Sequence, residues 1–342
     1  MEQPVSYLVA NDSLPWQLLA NSRWFRLNYQ AVAEFDAPYV TNAPYTIWRY
    51  QPPPPDLGPA HALNARVPDR LRIRGYQVNQ ENLESENEAV ITLYLEAPPA
   101  TTVPPSHFTA KIRLDSPLDA STVAEWDVVL PTSIDPETWQ AGETISEQIA
   151  VDLPPGLEPG AYPLKLSLAD LDAPDSWAIS LDNDSRRLDR IQIGHVTIPV
   201  EFDQSLIQAQ EALLNNEIKL LGFTSSNPQR GEGLELTLFW QAEKPLDNNY
   251  VVFTHVLDSN GQLVVNHDSV PDNGRYPTPS WIPGMAISDS HLIQLPPDLA
   301  PGDYQIRVGL YVPESGERLP ITAADGSTVP DNSFPLTQFS IP

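Results

Sequence analysis

The sequence has no cysteine at all. That excludes a disulfide framework, a thiolate metal centre and a cysteine nucleophile. Positive charge is also scarce: 19 Lys and Arg face 45 Asp and Glu, for a formal charge of −26, and only four of the basic residues are lysine. A polyphosphate partner needs clustered Lys and Arg to displace its counterions, so nucleic acid is not an expected partner. Long apolar runs are missing too. No stretch approaches the ~18 consecutive apolar residues of a spanning helix, and the opening MEQPVSYLVANDS has no basic region followed by an apolar one. The expected localisation signal is therefore absent from the chain itself.

Proline is abundant, with 37 in 342 residues, about twice the usual ~5%. Proline at that density interrupts helices and central strands. Yet 41% of the chain is hydrophobic, too much for a disordered polymer. An all-β chain with proline-punctuated loops fits both facts, and its dispersed acidity reads as solvated strand faces and loops.

The sequence repeats itself. At an offset of 142 residues, 139–168 aligns with 281–310 without a gap and with twelve of thirty positions identical. The alignment pairs Trp139 with Trp281, Gly142 with Gly284, Gly160 with Gly302 and Tyr162 with Tyr304. Upstream, ITLYLEA (91–97) matches LTLFWQA (236–242) and LRIRGYQ (71–77) matches IKLLGFT (218–224) at slightly larger offsets, as loop insertions would produce. This predicts a β-sandwich repeat over 61–203 and a second over 204–342. A small α/β segment (1–50), with a short helix over LPWQLLANS, and a proline-rich linker (51–60) precede them. A short helix is also expected in VEFDQSLIQAQEALLNN (200–216).

Each repeat reads as about seven short strands. Leu234, Leu236, Leu238 and Trp240 alternate onto one face, and Asp258 to Gly261 marks a hairpin. Leu-x-Pro-Gly-x-Tyr occurs at Leu157–Tyr162 and again at Leu299–Tyr304, before a hydrophobic strand. In Greek-key sandwiches a tyrosine there returns its hydroxyl to backbone. The predicted architecture is thus mainly β, with tandem immunoglobulin- or fibronectin-like sandwiches. Tyr162, Tyr304, Trp139, Trp281, Gly160 and Gly302 are expected to be structural.

Chemistry is harder to find. None of the six histidines lies in HExxH, and neither GxSxG nor a phosphate-cradling glycine loop occurs. His255, His267 and Asp268 fall on two arms of one predicted hairpin, so a hydrolase or metal set there stands as a remote reading against exposed strand polars. Asp268, Asp272, Asn273 and Asp289 allow a loop calcium site as a further remote reading, although their spacing matches no recognised calcium loop. Arg66, Arg70, Arg72 and Arg74 form the only basic cluster and read as a strand face paired with acids. Tyr276 and Trp281 beside Asp272 and Asn273 offer a sugar-stacking surface, weighed against anchoring in the fold. No catalytic residue, cofactor or metal site is assigned.

The stretch HDSVPDNGRYPTPSWIPGMAISDSHLIQLPPDLAPGDYQIRVGLYVPESGERLP resembles the β-sandwich modules carboxy-terminal to multi-spanning bacterial membrane glycosyltransferases of the protein mannosyltransferase and aminoarabinose transferase type. SYLVANDSLPWQLLANSRWFRLNYQAVAEF with YTIWRY is similar to the short soluble α/β piece after the last membrane helix of such enzymes. The resemblance implies a non-catalytic, extracytoplasmic accessory region of a longer protein. Its partners would be the membrane domain, a glycan or an envelope protein, because the family's chemistry resides in membrane-domain loops. The alternative is a stand-alone extracytoplasmic carbohydrate-binding module.

Overall fold

The computed structural model describes residues 7–11, 29–35, 45–50, 61–81, 83, 87–98, 106–171, 177–181, 186–228 and 231–342. The protein is mainly β, and no helix of seven or more residues occurs among the described residues. Near the amino terminus, β1 (Tyr7–Asn11), β2 (Tyr29–Phe35) and β3 (Tyr45–Tyr50) form an antiparallel sheet in the order β1-β3-β2. The helix expected over LPWQLLANS and the linker 51–60 lie outside the described residues.

Ten further strands follow: β4 (His61–Val67), β5 (Leu71–Asn79), β6 (Glu88–Glu96), β7 (Phe108–Asp115), β8 (Thr122–Leu130), β9 (Thr144–Asp152), β10 (Gly160–Asp170), β11 (Ile179–Leu181), β12 (Arg187–Leu188) and β13 (Ile191–Ile198). They make two sheets, ordered β12-β11-β4-β5-β6-β9 and β13-β10-β7-β8. Period two decides what each strand buries. In β7, Phe108, Ala110, Ile112 and Leu114 are all buried while the residues between them are partly exposed.

The remaining strands are β14 (Gln208–Leu214), β15 (Ile218–Ser225), β16 (Gly233–Ala242), β17 (Val251–Leu257), β18 (Leu263–Ser269), β19 (Ala286–Gln294), β20 (Gly302–Tyr311), β21 (Ile321–Ala323) and β22 (Phe334–Ile341). Their two sheets run β21-β14-β15-β16-β19 and β22-β20-β17-β18. Strand for strand, this is the order of the preceding set, with β12 as the one addition. The repeat seen in the sequence is thus a repeat of topology. β5 and β15 even carry the same irregularity: register shifts between Ile73 and Gly75 in one and between Leu220 and Gly222 in the other.

In the second copy, Leu234, Leu236, Leu238 and Trp240 of one sheet join Val252, Ile306, Val308 and Leu310 of the other in a single hydrophobic cluster. Side chains buried to this degree contribute about 1.5–3 kcal/mol each. By contact density the chain divides into two compact units. One comprises Met1–Leu114, Thr122–Pro155 and Leu164–Gly194, the other Asp115–Ser121, Gly156–Pro163 and His195–Pro342.

The expectation of a helix in 200–216 is corrected. Only Gln204–Leu206 forms a single 3-10 turn, capped by the Asp203 side chain, and Gln208–Leu214 is strand β14. Its helix-forming residues favour a helix by tenths of a kcal/mol each. As a strand the same segment bonds to both β15 and β21 and buries Ala212 and Leu214, which outweighs propensity.

Candidate functional site

Among the described residues, ionisable groups converge in the second copy, where edge strand β18 of one sheet approaches edge strand β19 of the other. Asp289 and His291 are two apart on β19, so both point to the same face and both are buried. On β18, His267 stands opposite Thr254, a fully buried residue whose hydroxyl donates to the His267 carbonyl at 2.9 Å. His267 therefore turns inward, and its ring meets His291 edge-on with centroids 5.4 Å apart.

Asp289 is the hub. Its Oδ2 accepts the Trp240 indole N–H at 3.0 Å and lies 2.9 Å from His291 Nε2, while Oδ1 accepts the Asp272 backbone N–H at 2.7 Å. The side chains of Asp289 and His291 have no exposed surface. Asp272 belongs to the loop after β18, where it and Asn273 hold left-handed φ of 49° and 55°. Burial first, then the charge of His291, pushes the His267 imidazole below its ordinary range. Burial pushes the Asp272 carboxyl up, against the pull of Arg275.

Ser269 Oγ lies 3.4 Å from His291 Nδ1, so serine, histidine and aspartate stand in a row. The arrangement lacks what nucleophilic catalysis needs. The serine-histidine contact is long, the imidazole is shut away from solvent, and the carboxylate is engaged by Trp240 and a backbone amide. Among the described residues no three His, Asp or Glu groups are placed to hold a metal.

The first copy has the same device in different chemistry. Glu147, at the position matching Asp289, is fully buried and accepts the backbone N–H of Thr132 at 2.9 Å and of Ser133 at 3.0 Å, together with both hydroxyls. In each copy a buried carboxylate on the β9 or β19 edge pins the loop that follows the facing edge strand. Where β19 has His291, β9 has Ile149.

The other sequence-expected residues fall as follows. Tyr276 is 1% exposed and donates its hydroxyl to the Ile198 carbonyl at 2.8 Å; Trp281 is 3% exposed and donates its indole N–H to the Tyr276 carbonyl at 2.9 Å. Neither ring face is open for a sugar to stack on. Asp272 is half-buried and Asn273 exposed on the loop. His255 and Asp268 lie on the strand face opposite to His267. His255 packs on Phe253 with centroids 4.7 Å apart, and Asp268 accepts the Tyr311 hydroxyl at 3.2 Å. Strand alternation thus puts His267 on one face and His255 and Asp268 on the other, so the three do not meet. The same alternation turns Asp268 away from Asp289.

Two of the four arginines are paired with acids. Arg70 forks onto Asp170 at 2.8 and 3.2 Å and covers the Trp177 ring, Arg74 approaches Glu96 at 3.5 Å, and Arg66 and Arg72 face each other across β4 and β5. Tyr162 and Tyr304 donate their hydroxyls four residues back, to Glu158 and Ala300 carbonyls at 2.8 and 2.7 Å. Trp139 is buried with its N–H on the Glu143 carbonyl. Gly160 and Gly302 open β10 and β20 at φ of 157° and 150°. A shallow, open groove of about 360 Å³ beside β14 and β21 is lined by Glu211, Lys219, Glu243 and Thr322, with Lys219 paired to Glu211 at 3.6 Å.

In the sequence Asp289 stands out only as one of four residues weighed for a calcium loop, and its role as a hub is not legible there. The available signal was the substitution of one acid for another, Glu147 for Asp289, at matching positions of the repeat. No protein-family model matches the chain, and no curated protein is similar to it.

Proposed function

We propose that the chain is a non-catalytic pair of immunoglobulin-like β-sandwiches acting as an accessory and spacing region of an extracytoplasmic membrane glycosyltransferase. The observation that carries the non-catalytic part is the use made of the converging acids. Glu147 and Asp289 are buried, and their oxygens are occupied by loop amides, hydroxyls and an indole. Two further features support the sandwich reading. Buried residues of both sheets share one core in the second copy, and both corner tyrosines return to backbone just upstream. The glycosyltransferase association rests on the resemblance of the second repeat and of the opening segment. Non-catalytic, acidic, rigid modules of this kind hold a partner domain or a glycan at a fixed distance.

The test is transfer. Purified chain incubated with a lipid-linked sugar donor and a peptide or lipid acceptor is expected to give no product, and turnover above the blank overturns the non-catalytic reading. Co-purification with a multi-spanning glycosyltransferase after mild crosslinking is expected, and its absence overturns the association. The second reading, a stand-alone carbohydrate-binding module, draws on the exposed Asn273 and half-buried Asp272. It has lost its stacking surface, since Tyr276 and Trp281 are core residues. A glycan array answers it directly: binding abolished by Asn273→Ala in a folded protein would restore it.

A further inference from the structure

We infer that the His267–His291–Asp289 cluster is an acid-responsive latch: as His267 takes up a proton, the loop tip Asp272–Gly274 is released from β19, in the second copy alone. The loop turns sharply: Asp272 and Asn273 are consecutive residues in the left-handed region, which Asp and Asn adopt more readily than other non-glycine residues. Two ties run from that pair to β19: the Asp272 N–H bonds to Asp289 Oδ1, and the Asp272 carboxyl is held by the Ser290 backbone. Strands β18 and β19 belong to different sheets and share no ladder. They separate without breaking backbone pairing, so the loop between β18 and the Asp289 tie is where strain is most cheaply relieved.

The groups facing His267 set the sign. On β19, Asp289 favours its charged form and His291 opposes it; on its own strand Asp268 favours it; and burial outweighs the acids. From the loop, Asp272 and Arg275 stand as an ion pair at 3.5 Å. An imidazole whose proton affinity is lower folded than unfolded costs nothing while both states are neutral. It then destabilises the folded arrangement progressively as pH falls below about 6.5. The His267 Nε2 atom is buried without a hydrogen-bond partner, so the imidazolium, which carries an N–H at that position, would find an acceptor only if the edge opened. His291 adds to the penalty, since both rings cannot be cationic at this spacing without repulsion.

The duplicate provides a control inside the same molecule. Neither β8 nor β9 contains a histidine, Ile149 replaces His291, and Glu147 is satisfied by amides and hydroxyls. The matching loop likewise has no histidine.

The experiment is amide hydrogen exchange on the whole chain between about pH 7.5 and about pH 5, corrected for intrinsic rates, with the histidine rings followed by NMR. The Asp272 amide is expected to lose protection by about ten-fold for each pK unit by which folded His267 resists protonation, while the Thr132 amide is unchanged. His267→Gln and His267→Phe, two neutral replacements of different shape, are expected to remove the response. Equal loosening at Thr132, no loosening at Asp272, or loosening that persists in either folded variant overturns the latch. If neither variant folds, the wild-type titration decides: His267 titrating at or above about 6.5 overturns the proposal, and titration below it with selective loosening at Asp272 sustains it.

Discussion

Glu147 and Asp289 occupy the same position in two copies of one strand order, and each is a fully buried carboxylate that accepts a backbone N–H from the loop after the facing edge strand. The acids differ by one methylene and their remaining partners differ entirely: hydroxyls for Glu147, an indole and an imidazole for Asp289. The position, more than the partner chemistry, is what the duplicated fold has kept.

Removing the carboxylate should therefore be costly in either copy. Asp289→Ala leaves the buried Trp240 N–H and the half-buried Asp272 amide without their acceptor, and Glu147→Ala removes the acceptor of the Thr132 and Ser133 amides. Each is expected to lose about 2–4 kcal/mol. Urea denaturation followed by tryptophan fluorescence reads this, and a loss below about 0.5 kcal/mol would mean that the loops do not depend on the acids.

The corner tyrosines should respond to loss of the hydroxyl alone. Tyr162→Phe and Tyr304→Phe keep the buried rings and remove the bonds to Glu158 and Ala300, for an expected loss of about 1–2 kcal/mol each. Because the two hydroxyls bond to different carbonyls and share no partner, the double variant should show the sum in thermal denaturation.

Gly222 and Gly302 both have positive φ, 152° and 150°, yet only one is crowded. A Cβ at Gly222 would overlap the Gln208 carbonyl and the Ile207 side chain, whereas at Gly302 nothing lies within 4 Å. Gly222→Ala is expected to cost about 3 kcal/mol and Gly302→Ala about 1 kcal/mol. Equal losses would show that backbone strain, and not the close approach at the β14–β15 bulge, sets both.

A carboxylate outside the latch gives a pH prediction of opposite sign. Burial pushes Glu217 up, but Lys244 at 3.1 Å and the Tyr250 hydroxyl at 3.0 Å more than offset it, leaving its pKa below the ordinary value. A depressed acid contributes stability above its unfolded pKa and loses it as pH falls through the folded value. Glu217→Gln should thus cost about 1 kcal/mol at pH 7, and wild type and variant should converge in stability below about pH 4. A gap that is constant from pH 7 to pH 3 contradicts this.

Much of the fold was written locally. Alternation in LELTLFW, the turn chemistry of Asp258 to Gly261 and the repeated Leu-x-Pro-Gly-x-Tyr each depend on residues within a few positions of one another, and the structure has strand, hairpin and corner at those places. The strand β14 was not legible, because its helix-forming residues are overruled by pairing with β15 and β21, which are distant in sequence or follow it. The inward turn of His267, the outward turn of His255 and Asp268, and the burial of Tyr276 and Trp281 depend on which strand faces which. A histidine beside an aspartate on a hairpin reads the same in sequence whichever side the core lies on. The sequence by itself determined the absence of thiol chemistry, the acidic surface and the duplicated β architecture, since composition and period two carry them. Only the tertiary structure decided that the converging acids pin loops, because burial and the partner of each carboxylate oxygen are set by contacts between strands of different sheets.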